Sequence, residues 1–328
     1  MGILSGFSAK FNRAIDHVVG RLILRSELLA MVFYKSHLLK YIRVWLARIR
    51  LSRFVHSVLT AADHPPEEAI QLYFGKLKLD RKNVHDQLMY FILLNEGLYE
   101  GPIVDLMARM VHKGDVCADV GSNNAYFTLL LSFLVGETGK VISFEPSGYA
   151  YDRGRNNIAL NKLSNIVPYR LALSDTTGPR VLFESTLEDG QNSLARIESA
   201  GLKQTINTIR LDELESATHI DFVKIDAEGW ELPIFRGMSG LWERNRNIKV
   251  VMEYNLRAQI AAGFKPSDLM SAIAERGFST FEIIGRNLEL KSVESWHDLS
   301  SPLTNIFFLR DSDILREARS PIIAKESS

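Results

Sequence analysis

Cysteine is almost absent from the sequence: Cys117 stands alone among 328 residues, which excludes an internal disulfide and any multi-cysteine zinc site. It lies in the apolar run Val116-Cys117-Ala118, where a reduced thiol behaves as a small hydrophobe, so a reducing, cytoplasmic setting is expected. Net charge is missing too. Lys and Arg number 39 and Asp and Glu 39, so the chain as a whole has no electrostatic attraction to nucleic acid, and no nucleic-acid reader motif accompanies it. Long apolar runs are scarce. The longest charge-free stretch of the central region, Val120 to Gly136, opens with Ser122-Asn123-Asn124 in a strand-turn pattern, which predicts a buried helix rather than a membrane span. No secretory signal is expected, because Arg21 and Arg25 interrupt the stretch that would serve as its apolar core. Met1-Gly2 does not read as a myristoylation signal, since the sixth residue is Gly6. Internal repeats and low-complexity tracts are lacking as well.

What is present is apolar material, 46% of the chain, enough for one large α/β domain with an extension. The zero net charge also hides an asymmetry. Residues 1–60 hold ten Lys or Arg against Asp16 and Glu27, so this segment stands at +8 and the remainder at −8. On a helical wheel all of those cations except Lys40 and Arg48 fall within an arc of about 120°, and apolar residues such as Leu22, Leu29, Leu38, Ile42, Trp45 and Ile49 fill much of the interval between them in the chain. Two readings of residues 10–53 stand side by side. One is peripheral contact with an anionic membrane at its inner face; the other is a helical arm packed on the main domain or on a second copy in a homo-oligomer.

Asp63-His64-Pro65-Pro66 ends the basic region, and a helix is expected to restart at Glu67. The predicted organisation is a basic amphipathic helical region (1–65), a helical connector (66–114), a main domain (115–312) and a tail (313–328). From Val116 short β-branched runs alternate with helical stretches: Val116–Val120, Ala125–Val135, Val141–Glu145, Tyr149–Asn161, Ile166–Leu173. That alternation predicts parallel βαβ units. Further strands are expected at Arg180–Glu184, Thr205–Arg210, Phe222–Ile225, Lys249–Tyr254, Thr280–Ile284 and Asn305–Leu309, with a hairpin around Gly285-Arg286-Asn287.

Asp119-Val120-Gly121-Ser122-Asn123 falls where the first of these strands meets its helix, the place where open α/β sheets bind ligands. Small Gly121 and Ser122 allow close approach, a helix start presents free N–H groups, and Asp119 can pair with a cation such as an ammonium. A dinucleotide loop needs further glycines where this chain has Asn124 and Ala125. Glu145, after the second strand, is placed to accept the hydroxyls of a ribose. Asp226 and Glu228 follow the strand Phe222–Ile225, and Glu253 with Asn255 ends the next one. Buried acids need a partner, so such a gathering marks a site. No metal is predicted, although oxygen donors from Asp226, Glu253 and Asn255 suit a divalent cation. Glu228 is alternatively an ion-pair partner of Lys224 or Arg236, and His112, His219 and His297 have no metal spacing.

In order along residues 115–310, the segments Asp119–Asn123 with Tyr126-Phe127-Thr128, Phe144-Glu145-Pro146, Ala172-Leu173-Ser174-Asp175, Asn192-Ser193-Leu194, Leu211–Leu214 and Lys224-Ile225-Asp226-Ala227-Glu228-Gly229 resemble the FkbM family of S-adenosylmethionine-dependent methyltransferases. The chain departs from that pattern at Ala125, where the family usually carries glycine. The resemblance implies a Rossmann-like class I methyltransferase fold: a mostly parallel seven-stranded sheet with an antiparallel C-terminal hairpin, here preceded by an α-helical region. It also implies S-adenosylmethionine held by Asp119, Gly121, Ser122, Asn123, Glu145, Pro146, Ala172, Leu173 and Asp226. The resemblance also places Asp226 near the transferred methyl and makes the default acceptor a hydroxyl of a sugar, glycolipid or related small molecule. Removing that hydroxyl's proton suits a carboxylate, expected to be Asp226 with Glu228 and Glu253 in support. Asn192 and Ser193 (over the pocket, or an ordinary turn), Trp230 (on a sugar ring, or in the core) and Asn255 are the expected acceptor contacts. Two other classes compete: an NAD-binding oxidoreductase, which shares Asp119, Gly121 and Glu145, and a non-catalytic membrane-peripheral adaptor with a degenerate cofactor loop.

Overall fold

The computed structural model describes residues 66–185, 194, 200–285 and 288–310. The basic arm, Asn192 and Ser193, Arg286-Asn287 and the tail lie outside the described residues, and with them the membrane and dimerisation readings. Among the described residues no helix is long and apolar enough to cross a membrane. The chain divides into two units, residues 1–67 with 79–99 and residues 68–78 with 100–328. The described part of the first is a single helix, capped by the Asn83 side chain and ended by Gly97 in the left-handed conformation (Val84–Glu96, α1).

The second unit opens with a hairpin where a helix was expected at Glu67: β1 (Ile70–Leu72) pairs with β2 (Gly75–Leu77). Gly75, at φ +151°, supports the tight return, and two asparagines on a later helix supply the edge of β2 with hydrogen bonds. After α2 (Gly101–Met110) the predicted alternation follows closely: β3 (Val116–Val120), α3 (Tyr126–Val135), β4 (Lys140–Phe144), α4 (Gly148–Leu160). Ile166–Leu173 is not one strand. It breaks into β5 (Ile166–Tyr169) and β6 (Ala172–Leu173), which belong to different sheets. Strands β7 (Gly178–Ser185) and β8 (Ala200–Ile209) pair antiparallel and, with β6 on the far side of β8, make a small separate sheet.

The chain then returns to the main sheet with β9 (Phe222–Ile225), α5 (Glu231–Arg236), α6 (Ser239–Arg244), β10 (Lys249–Asn255), α7 (Leu256–Ala261) and α8 (Pro266–Glu275). The antiparallel strands β11 (Ser279–Ile284), β12 (Glu289–Val293) and β13 (Leu303–Leu309) complete it. The order is β12-β11-β13-β10-β9-β3-β4-β5, with β13 running against both β10 and β11. This reversed strand inserted into an otherwise parallel sheet is the class I methyltransferase arrangement; the hairpin partner β12 adds an eighth strand at the edge.

Strands β3, β4 and β9 are buried nearly throughout, as parallel strands covered on both faces must be. Helix α3 is apolar all round and correspondingly buried. The main core joins Val223, Val250 and Phe308 of the sheet to Phe235, Trp242 and Ile273 of the covering helices. Buried Trp242 stacks on Phe235 and donates its indole N–H to that residue's carbonyl at 3.0 Å.

Asn157 and Asn161, one turn apart on α4, grip the hairpin in place of a neighbouring strand. Asn157 accepts from the Lys78 amide (2.8 Å) and donates to the Lys78 and Asn124 carbonyls (3.1 and 2.9 Å). Asn161 accepts from the Lys76 amide and donates to the Lys76 carbonyl, both at 2.7 Å. Asn157 is buried, so truncating it strands three backbone groups. Asn157→Ala is expected to cost about 1–3 kcal/mol in urea unfolding, and Asn161→Ala less because water replaces its bonds at the more exposed position.

Candidate active site

Beyond β3 the chain crosses by α3 to β4 on one side, whereas β9 leads to β10 on the other. The carboxyl ends of β3 and β9 therefore flank the switch point of the sheet, where the crevice for a ligand opens. The loops that leave these two ends touch. The Asp226 amide donates to the Val120 carbonyl at 3.0 Å, and a Cβ on Gly121 would stand 1.8 Å from the Asp226 carbonyl oxygen. Gly121 also has φ +78°, so both the turn and the contact require glycine.

The expectation of free N–H groups on this loop is not met. Gly121 and Ser122 both donate to the Phe144 carbonyl (2.9 and 3.0 Å), Asn123 to Glu145 Oε2 (3.0 Å), Ala125 to the Ser122 carbonyl (2.8 Å) and Tyr126 to Asn124 Oδ1 (3.2 Å). Three of these five amides are thus taken up by Phe144 and Glu145 at the end of β4, and two within the loop itself. Ala125 is buried at φ +69°, a conformation that costs a residue with a Cβ about 1–2 kcal/mol. Its methyl fits because Gly154 lies opposite: a Cβ there would come within 3.4 Å of it and 2.7 Å of the Asn123 carbonyl oxygen.

Asp119 is fully buried rather than lying open on the crest. Its Oδ2 accepts from Thr128 Oγ1 at 2.5 Å, while Oδ1 meets no donor. Burial raises its pKa, opposed by Lys224 and Thr128. Glu145, just beyond β4, is buried as well, with Oε1 accepting from the Ser147 amide at 2.9 Å and Oε2 from Asn123. Burial lifts its carboxyl to about 7, against the pull of the Ser147 and Asn123 amides. Pro146, half-buried, separates it from Ser147. Ala172 and Leu173, expected at the cofactor, turn their side chains into two different hydrophobic clusters.

Lys224 is the charged residue that motif reading left without a role; its signal is a lysine inside the buried strand Phe222-Val223-Lys224-Ile225. Burial alone would push its pKa down, but Asp226, Asp119 and Glu100 more than offset this and hold the ammonium charged. Its Nζ donates to Asp226 Oδ2 at 3.1 Å and lies 4.8 Å from the centre of the Phe127 ring. The ion pair considered for Glu228 thus belongs to Asp226. Glu228 Oε2 instead accepts from Asn255 Nδ2 at 3.1 Å.

Asp226, Glu228 and Glu253 converge, each presenting an oxygen within 4.8 Å of the others. Asn255, named above as a candidate metal donor with Asp226 and Glu253, has its Oδ1 on the Ala258 amide (3.1 Å), where it caps α7. The loop that carries Glu228 is strained and braced. Glu228 and Gly229 have φ +46° and +97°, and a Cβ on Gly229 would lie 2.6 Å from the Ala258 backbone. From beneath, buried Glu231 accepts from the Ala227 and Gly229 amides (3.3 and 3.0 Å), and burial raises its pKa to about 7. Trp230 is half-buried, its N–H on Ser174 Oγ (3.2 Å), with the Arg180 guanidinium 5.2 Å over its ring and Phe264 packed at 5.8 Å. His112, His219 and His297 are exposed and apart from these acids.

Residues 116–280 match the methyltransferase FkbM domain. The hexuronic acid methyltransferase AglP of Haloferax volcanii is 28% identical over 184 residues, 55% of this chain and 70% of that protein. Methyltransferase 1 of Beauveria bassiana is 23% identical over 192 residues, 47% of this chain and 77% of that one. A crystal structure of methyltransferase FkbM from Methylobacillus flagellatus aligns with 71% of this chain and 56% of its own length, at 13% identity and a TM-score of 0.39.

Because the Gly121 contact joins the two loops through backbone atoms, no side-chain rotation can relieve an added methyl group. Gly121→Ala is expected to lower stability by at least about 2 kcal/mol in urea unfolding, from the left-handed strain and the forced separation of the loops.

Proposed function

The chain belongs to the FkbM methyltransferase family, and from that membership we propose that it transfers the methyl group of S-adenosylmethionine to a hydroxyl oxygen of a sugar or sugar-bearing acceptor. As an S-adenosylmethionine-dependent methyltransferase it is neither of the competing classes, and its chemistry explains why. A pyrophosphate needs open amides, and those of Gly121, Ser122, Asn123, Ala125 and Tyr126 in the β3–α3 loop are already paired. S-adenosylmethionine brings cations instead, a sulfonium and an ammonium.

The observation that carries the reading is the gathering of carboxylates at the switch point: Asp226, Glu228 and Glu253 converge, and Asp119 and Asp226 flank the Lys224 ammonium. The unpartnered Oδ1 of Asp119 suits the ammonium of the methionine part, since a buried acceptor left without a donor is costly. Each oxygen of Glu145 already accepts one backbone amide and keeps a lone pair for a ribose hydroxyl. The bound cofactor supplies an electrophilic methyl group on sulfur. The protein's part is to hold an acceptor oxygen in line with it, exclude water, and remove the hydroxyl proton. Carboxylates at the strand ends are suited to grip the hydroxyls of a sugar, and the relative from Haloferax volcanii is named for a hexuronic acid.

Methyl transfer from tritiated S-adenosylmethionine to the methyl glycosides of glucuronic acid and of glucose tests the acceptor class. Label in a sugar is the expected result; label only in phenols or amines offered alongside would overturn it. Cofactor binding tests Glu145. The ribose needs the ionised carboxylate, whose pKa is about 7 in the free protein, so affinity measured by calorimetry should rise with pH and fall about tenfold per unit below 7. Glu145→Ala should bind more weakly and lose this dependence, whereas unchanged affinity would place the nucleoside elsewhere.

A further inference from the structure

We propose that Glu253, rather than Asp226, is the residue that takes the proton from the acceptor hydroxyl. This deepens the reading above, on which it rests. The three converging carboxylates are not equivalent, and the difference lies in their donors. Asp226 is held by the Lys224 ammonium at 3.1 Å, which fixes its orientation and occupies one of its oxygens. Glu228 accepts from Asn255 at 3.1 Å and sits on a loop whose backbone is pinned at Gly229 by the close approach of Ala258. Glu253, near the end of β10, has no hydrogen-bond donor among the described residues.

Its surroundings sharpen the contrast. Asp226 and Glu228 face it from the β9 side, Glu100 from the start of α2 and Glu231 from the start of α5, and all four are acids. Its neighbour on β13 is the neutral Asn305, and the Lys224 ammonium is bound to Asp226. Burial and these carboxylates push the Glu253 carboxyl well above the usual range. An acid in such a place gains most from accepting a proton, because protonation removes a charge that nothing else offsets.

The roles divide accordingly. Asp226 with Lys224 is a fixed charge beside the transferred methyl. Glu253 is the group whose charge changes: as the new bond from acceptor oxygen to methyl carbon forms and the bond from that carbon to sulfur breaks, the hydroxyl proton passes to its carboxylate. Product release then exposes the carboxyl to water, which carries the proton away.

The test compares Glu253→Gln and Asp226→Asn in the full-length protein. Glu253→Gln should lower kcat by about 10²–10⁴-fold with cofactor affinity little changed, and should abolish the decline of kcat at low pH. Asp226→Asn should retain that decline while lowering the rate. A second readout needs no turnover. In infrared spectra of the protein without ligand, the protonated-carboxyl band that persists above the ordinary titration range of glutamate, to which Glu145 and Glu231 also contribute, should lose one component in Glu253→Gln. If no sugar is methylated, release of the demethylated cofactor by transfer to water gives the same kinetic comparison, so failure of the acceptor reading leaves this test intact. Wild-type kcat in Glu253→Gln would overturn the proposal. So would loss of the low-pH decline in Asp226→Asn instead, or turnover abolished by chelator and restored by magnesium with Glu253 ionised throughout.

Discussion

Lys224 is buried in the middle of the sheet, yet it stays charged, and the rest of the site is arranged around that fact. Desolvating an ammonium is expensive unless carboxylates stand close to it, and here Asp119 on β3 and Asp226 after β9 supply them from adjacent strands. The pair with Asp226 fixes one carboxylate at the crevice. It also leaves Glu253 facing further carboxylates, a condition that a positively charged methyl donor would relieve. One buried lysine thus decides which acids are spent and which remain available.

Backbone geometry holds this charge pattern in place. Gly121 lets the loop after β9 close against the loop after β3, and the Asp226 amide completes the contact on Val120. Glu145 ties the Asn123 amide to the start of α4, so the loop has few open donors and presents carboxyl groups instead. Glu231 braces the Ala227–Gly229 turn from inside, in a conformation with two successive left-handed residues. Such strain persists only where surrounding contacts over-determine it, and here it directs Glu228 toward Asn255.

Ala125 shows how local departures are absorbed. A left-handed alanine at the head of α3 carries a steric cost that glycine would avoid, and the absence of a side chain at Gly154 keeps that cost from growing. The left-handed turn at the head of α3 is therefore formed without glycine.

Much of the fold was legible along the chain. Strands β3, β4, β9 and β10 announce themselves as short β-branched runs, and the acids at their ends mark the crevice, because a strand end and the residue after it are set by sequence order alone. The two loops of Gly121 and Asp226, and the trio Asp226, Glu228 and Glu253, follow from that order once the sheet is parallel. Other features are pairings between distant segments, which no local pattern encodes. The hairpin of β1 and β2 looked helical because its asparagine partners lie some eighty residues away on α4. The split of Ile166–Leu173 arises because β6 finds β8 as its neighbour. Sequence determined which chemical groups reach the rim of the sheet; tertiary structure decided how deeply each is buried and which donors it meets, because hydrogen-bond donors and desolvation arrive from strands and helices remote in the chain.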